Sequence, residues 1–288
     1  MSTSSTPTPD SKEAVRQDWL SAAPAWKKWY SQLAFQSRHA TELVVQGAAI
    51  SPGMHVLDLA GGSGEPALSL SAAVGPEGRV TATDLLREML QIAEENATAR
   101  GIKNIDFRAA DAEQLPFPTG LFDRVTCRFG IMFVPDIQKA LGEMRRVLKP
   151  GGRVSFVTWG SLEENPMFST MIGPFLKYVE VPTPPPDAPH VFRFADENKL
   201  ASVITAAGLQ DVRVTKHKIN WPWPGTPEEA WQGASELAAP FKRIIAATPP
   251  DKRELAIHEA IEGFRRLYDG QAVNIPATIN SATATTPA

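Results

Sequence analysis

Cysteine is nearly absent from this chain: 288 residues hold one, Cys127. A single thiol builds neither a disulfide framework nor a cysteine-based zinc site, and it suits a reducing compartment; no metal site is expected. Apolar runs of about 18 residues or more are also missing, which excludes a membrane-spanning helix. The opening stretch, M-S-T-S-S-T-P-T-P-D, has no apolar region of the kind a secretory signal needs, so a cytoplasmic location is expected. A basic surplus is lacking too. Lys and Arg number 29 against 32 Asp and Glu, a formal net charge of −3, and the isoelectric point is about 6.0. That balance offers no field for nucleic acid or an anionic membrane surface. No internal repeat occurs. What is present is 43% hydrophobic residues, 25 prolines and 7 tryptophans, enough for one large core or a core with a helical annex.

Along the chain, apolar runs alternate with helical periodicity. Strands are expected over 54–59, 79–83, 104–108, 122–127 and 153–159, with helices over 65–74, 86–100 and 136–148 between them. Gly101 and the Lys149-Pro150-Gly151-Gly152 stop end two of those helices. Five strands alternating with helices predict a parallel sheet covered on both faces. The resulting map places a disordered tail at 1–10, a helical cap at 11–50 and a core at 51–160. A proline-rich cover insertion follows at 161–195, core again at 196–224, a helical cover insertion at 225–270, a last core strand at 271–280, and a disordered tail at 281–288.

The most informative stretch is Val56–Glu65, V-L-D-L-A-G-G-S-G-E. A strand ends in an acid and opens into a glycine turn ahead of a helix. Gly62 and Gly64 let a backbone turn sharply and approach a ligand closely, having no Cβ in the way. Gly62-Ser63-Gly64-Glu65-Pro66-Ala67 satisfies G-x-G-x-x-A, and Asp84 follows about twenty positions after Gly62, as in a dinucleotide fold. Asp58 argues for another cofactor, because a carboxylate there stands close to where a pyrophosphate would lie but can meet an ammonium group. Asp84 can accept hydrogen bonds from ribose hydroxyls of either cofactor, or serve only as a helix cap. Asp111, in Ala110-Asp111-Ala112-Glu113, can accept a hydrogen bond from an adenine amino group.

Together, Val56–Glu65, Asp84, Ala110–Phe117, Phe122–Gly130 and Arg146–Gly152 resemble the class I S-adenosylmethionine-dependent methyltransferases, and among them the ubiquinone and menaquinone biosynthesis type (methyltransferase type 11). The resemblance covers about residues 50–160. It implies an α/β, Rossmann-like fold: a mostly parallel seven-stranded sheet with helices on both faces, plus helical cover segments. Val212–Trp221 would be strand six, and the Val273 region an antiparallel strand seven. It also implies S-adenosyl-L-methionine as cofactor, S-adenosyl-L-homocysteine as product, and contacts at Asp58, Gly62, Gly64, Asp84, Leu85, Asp111, Ala112 and Arg128. Arg128 stands where the family usually has a small hydroxyl residue. It can reach a carboxylate of the methionine or of an acceptor, or pair with a nearby acid.

A dry enclosure favours the loss of positive charge when a sulfonium methyl is transferred, and alignment alone supplies about 7–11 kcal/mol of the barrier. Any base would be histidine. His39, His190 and His217 are candidates, each also readable as structural; His55 reads as structural and His258 as solvated. Trp19, Tyr30, Phe129, Trp159 and Phe192 are candidates for an acceptor pocket, or for helix packing onto the sheet. The exit of strand four, Arg128-Phe129-Gly130-Ile131, is not the N-P-P-aromatic tetrad of nucleic-acid amino-methyltransferases. It has no glutamate pair for arginine methylation, and one thiol cannot serve arsenite. The expected partner is a small organic acceptor, aromatic or apolar, with no nucleic acid and no membrane span; oligomeric state is not readable. Two alternatives remain: a non-catalytic scaffold that binds S-adenosylmethionine, and a nicotinamide-linked reductase.

Overall fold

Why the strands lie where they do follows from their side chains. In β1 (His55–Leu59) every residue after His55 is buried, so the strand needs cover on both faces, as parallel sheets have. A computed structural model describes residues 12–181, 185 and 187–288; the expected tail at 1–10 and part of the proline run lie outside the described residues. Among these, β1 pairs in parallel with β2 (Arg79–Asp84) and β4 (Phe122–Arg128), Leu59 standing opposite both Thr83 and Cys127. β3 (Ile105–Ala109) and β5 (Leu148–Trp159) extend the sheet on either side. β7 (Ala272–Thr285) inserts antiparallel between β5 and β6 (Gln210–Pro224). The order β3-β2-β1-β4-β5-β7-β6 reverses direction of progression between β1 and β4. Open α/β sheets bind ligands at that switch, beyond the carboxyl ends.

The linking helices α4 (Ala67–Val74), α5 (Arg87–Ala99) and α6 (Ile137–Val147) fall close to the expected spans. α6 starts where the Asp136 carboxylate accepts from the Lys139 N–H at 3.0 Å. The expected cap at 11–50 is three helices, α1 (Lys12–Lys28), α2 (Tyr30–Gln36) and α3 (Arg38–Ala48). Inside the 161–195 segment α7 (Pro166–Leu176) forms before the proline run begins, with Pro166 in its first turn, where a missing N–H costs nothing. α8 (Glu197–Ala206) precedes β6. The 225–270 segment is α9 (Pro227–Leu237), α10 (Lys242–Ala247) and α11 (Pro250–Arg265), α9 opening with a Thr226/Glu229 capping box.

The expectation of a disordered tail at 281–288 is wrong. β7 runs on to Thr285, and Ser281, Ala282 and Thr283 pair with β5 on one side and β6 on the other. Ser-Ala-Thr composition carries little hydrophobic signal, yet Ala282 and Ala284 are fully buried. On the opposite face α3 approaches so closely that a Cβ on Gly47 would lie 3.0 Å from Thr283 and 2.6 Å from Ser155. Small residues here let a helix lie flat on the sheet.

Candidate functional site

A cavity of about 300 Å³ opens over the carboxyl ends of β1, β2, β3 and β4 and runs under the cover helices. Its wall joins two unlike ends. One end is the glycine turn with Glu65, Asp84, Asp111 and Arg128; the other is an aromatic chamber around Phe129, Trp159, Phe168 and Trp221.

At the polar end the β1 exit bends through Ala60, at φ 53°, and Gly62, at φ 54°. The Gly61 N–H donates to the Thr83 carbonyl at 2.9 Å, closing the turn onto β2. Asp84 accepts from the Gly62 N–H at 3.0 Å and the Leu86 N–H at 2.9 Å. Burial lifts its carboxyl pKa, and the N–H groups of Leu86, Gly62 and Leu85 oppose that rise. Its bond to Leu86 is the local turn bond a helix-cap reading anticipates; its bond to Gly62 is not, and ties it to the ligand loop. Asp58 is fully buried and does not line the cavity. One of its oxygens accepts from Thr126 Oγ1 at 2.6 Å, and the other, Oδ2, is sealed without a partner. Burial pushes this carboxyl up to about 7, with the Thr126 hydroxyl and Arg128 acting in the other direction. Gly61, which lines the cavity, lies against it: a Cβ there would sit 3.1 Å from Asp58 Oδ2. An orphaned acid behind a cradle that lacks a Cβ suits an ammonium group held directly or through water.

Asp111 lines the mouth and is paired with Lys12 at 2.6 Å, while its other oxygen accepts from the Glu113 N–H at 2.9 Å. Lys12 also reaches Glu113 at 2.5 Å, so α1 crosses the opening. Leu85 and Ala112 line the cavity; Gly64 does not, and its Cβ would strike Leu68 at 2.9 Å, so this glycine serves packing of the turn on α4. Arg128 is neither free nor acid-paired by contact. It donates to Ser37 Oγ, to Thr41 Oγ1 at 2.8 Å and to the Glu65 carbonyl at 2.9 Å, fastening α3 to the glycine turn.

At the apolar end Phe129, at φ 58°, is held in a conformation that bulky residues avoid. Its ring stacks on Trp159 at 4.5 Å, and Trp221 meets Trp159 edge-on at 4.8 Å. Gly130 makes the crossing possible: a Cβ there would lie 2.5 Å from Ala60 Cβ and 2.6 Å from Cys127 Sγ. Phe168 closes the chamber from α7, 5.1 Å from Trp159.

Of the acceptor-pocket candidates, Trp19, Phe129 and Trp159 line the cavity, whereas Tyr30 and Phe192 do not. Tyr30 accepts from Arg100 at 2.9 Å and its hydroxyl is pushed up to about 12 by burial; Phe192 packs behind Phe168 at 5.0 Å. The three histidine candidates are also elsewhere. His39 pairs with Glu42 at 3.1 Å, His190 accepts from the Phe192 N–H at 3.2 Å, and His217 bonds Ser281 Oγ at 2.8 Å on the β6–β7 ladder. No histidine is in the cavity wall. Gln36, Met167, Phe168 and Met171 line it without having been singled out in sequence; the last three sit at i, i+1 and i+4 on α7, indistinguishable there from ordinary core positions.

The reversed strand order, the glycine turn at the switch and the antiparallel β7 define the chain as a class I methyltransferase fold. The YcgJ protein of Bacillus subtilis shares that fold, with a TM-score of 0.57 at 23% identity, covering 87% of this chain and 99% of that one. A model of the ubiE/COQ5 methyltransferase family matches residues 24–182, more than half of the chain, and the protein belongs to that family. It is 44% identical over 107 residues to the ubiquinone/menaquinone biosynthesis C-methyltransferase UbiE of Bordetella parapertussis, 37% of this chain and 41% of that one. The corresponding protein of Shewanella sediminis is 40% identical over 124 residues, 43% of this chain and 49% of that one. The chain thus matches less than half the length of these curated relatives.

Proposed function

We propose that this protein transfers a methyl group from S-adenosyl-L-methionine to a small apolar, aromatic-type acceptor enclosed beneath its cover helices. One observation carries the reading: a single cavity joins the glycine turn and the acids at the ends of two adjacent parallel strands, Asp84 and Asp111, to an aromatic chamber. The methionine derivative, when bound, supplies an electrophilic methyl group. In this reading Asp84 takes ribose hydroxyls on lone pairs left free by its two N–H partners, Asp111 takes the adenine end, and Asp58 favours the ammonium from behind Gly61. Gly62, Leu85 and Ala112 offer backbone and apolar contact, and Gly64 shapes the turn. Arg128 positions the site, three of its five N–H groups holding α3 and the loop while its side chain lines the cavity.

The chamber excludes water and holds the acceptor in line with the methyl, where alignment contributes about 7–11 kcal/mol. The titratable groups of the wall, Lys12, Arg16, Glu65, Asp84, Asp111, Glu113 and Arg128, belong to the mouth and the glycine-turn end rather than to the aromatic chamber. An acceptor that reacts without help from a side-chain base therefore fits best, such as an activated ring carbon or an already acidic hydroxyl. The relatives' name points to ring carbons of quinone precursors. The family match ends at residue 182, so the acceptor chamber combines matched residues, Phe129, Trp159 and Phe168, with Trp221, Trp223 and α9 residues from outside the match.

S-adenosyl-L-homocysteine at about 100 times its Kd should stabilise the fold by about 2.7 kcal/mol, raising Tm by roughly 5–10 °C, and NAD should leave Tm unchanged. Label from the methyl donor should then appear in a small product after incubation with cell extract. A shift with NAD alone would sink the reading; an S-adenosyl-L-homocysteine shift with no transfer to any fraction would return the scaffold alternative.

A further inference from the structure

Gln36, the last residue of α2, is 4% exposed and lines the cavity. Buried amides are normally hydrogen-bonded. This one is not: its amide oxygen and nitrogen bond to no described residue, and neither belongs to the sealed, unpartnered atoms, so both open onto the cavity. Neighbouring polar groups are taken. Ser37 accepts from Arg128 and donates to the Leu33 carbonyl, Thr83 donates to the Asp58 carbonyl, and Glu65 accepts from Ser69.

Position follows from those bonds. Ser37 is fastened through Arg128 to the glycine turn, while α2 packs on β6, which brings Trp221 and Trp223 to the chamber. Gln36 therefore stands where the glycine-turn end meets the aromatic chamber. An amide both donates and accepts, stays uncharged, and in an apolar surround discriminates strongly against a partner that leaves it unpaired.

We infer that Gln36 is the acceptor's polar anchor, a specificity-determining residue that orients an oxygen substituent of an otherwise apolar aromatic acceptor. The inference rests on the methyl-donor reading for which end of the cavity the acceptor takes. Equilibrium dialysis of 1-naphthol and of naphthalene against the full chain loaded with S-adenosyl-L-homocysteine tests it. The wild type should hold 1-naphthol about tenfold more tightly, the worth of one hydrogen bond in a dry site. Gln36→Met, matched in length, should abolish that preference while leaving naphthalene and S-adenosyl-L-homocysteine binding unchanged; Gln36→Leu serves if the Met variant does not fold. Preference retained in the variant, no preference in the wild type, or a loss confined to S-adenosyl-L-homocysteine would overturn the assignment. Failure of S-adenosyl-L-homocysteine to bind the wild type would instead overturn the methyl-donor reading beneath it.

Discussion

Asp58 lies behind the glycine turn, and its burial is an electrostatic cost. It is fully buried with Oδ2 unpartnered, and its carboxyl is lifted from 3.8 to about 7 by burial. A carboxyl raised in the folded state contributes stability that is complete below its unfolded value and lost as pH climbs through the folded one. The free protein should therefore lose stability between the ordinary 3.8 and about 7. Asp58→Asn keeps the shape and the acceptor for Thr126 but cannot ionise. Its stability should fall with a slope one proton smaller, leaving the variant about 2–4 kcal/mol more stable than wild type near pH 8. Urea unfolding from about pH 5 to about pH 8 measures this, and identical slopes in the two proteins would show that Asp58 does not titrate in that window. Asp84, also raised by burial, supplies a residual slope in both. An ammonium beside Asp58 pulls its pKa back down, so in the proposed site ligand binding near neutral pH releases a proton. Fold stability is traded there for affinity.

At the scale of the element, β7 matters most. Its last residues pair with both neighbours in the interior of the sheet, so deleting 281–288 should lower stability by more than about 4 kcal/mol or prevent folding. A thermal melt by circular dichroism checks it; a truncated chain melting within a few degrees of the full one would mean the ladder beyond Asn280 is dispensable. Nothing in S-A-T-A-T-T announces such a role, because burial here is conferred by α3 and by the flanking strands rather than carried by large side chains. By contrast β1 to β5 and α4 to α6 were legible, since hydrophobic period, glycine stops and an aspartate cap act locally. The polar end of the cavity was legible for the same reason: the glycine turn after β1 and Asp84 at the end of β2 follow one another in the local strand-turn-helix alternation. Arg128 was not, because its meaning depends on Ser37 and Thr41, remote in sequence and brought beside it by α3. Nor was the chamber, whose Met167, Phe168 and Met171 look in sequence like any helix core.

The whole molecule joins a sheet and a cover through one apolar core, to which α7 and α11 give the fully buried Phe175 and Phe264, while charged pairs tie the exposed edges of the cover. Three separate stretches of chain, α1–α2, α7 and α9–α11, close over the carboxyl edge. α1 is joined to the third stretch by Lys28–Glu236 at 2.9 Å and Arg243–Asp18 at 2.6 Å, Lys177 just after α7 is joined to Glu259 of α11, and α9 is tied to α11 by Arg265–Glu228 at 2.5 Å. α1 is joined to the core by Lys27–Glu95 at 2.7 Å and by Lys12 to Asp111 at 2.6 Å. Partly exposed pairs of this kind contribute about 0–1 kcal/mol each and weaken with salt, whereas β1, β4 and β5 carry fully buried apolar faces. Opening of α1, which rests on these pairs and on the small cluster of Ala23 with Leu86, Met89 and Ile92 rather than on the main core, should therefore need much less free energy than unfolding of the sheet. Lys12 is the sharpest case, because it occupies the carboxylate that the proposed adenine contact needs, so α1 must shift as that end fills. Hydrogen exchange should accordingly find α1 amides exchanging far faster than those of β4, faster still at about 0.5 M salt, and slowed selectively in α1 and α9 by S-adenosyl-L-homocysteine. Equal exchange in α1 and β4, indifferent to salt and to S-adenosyl-L-homocysteine, would mean that the cover is part of the rigid core and that ligands enter by another path.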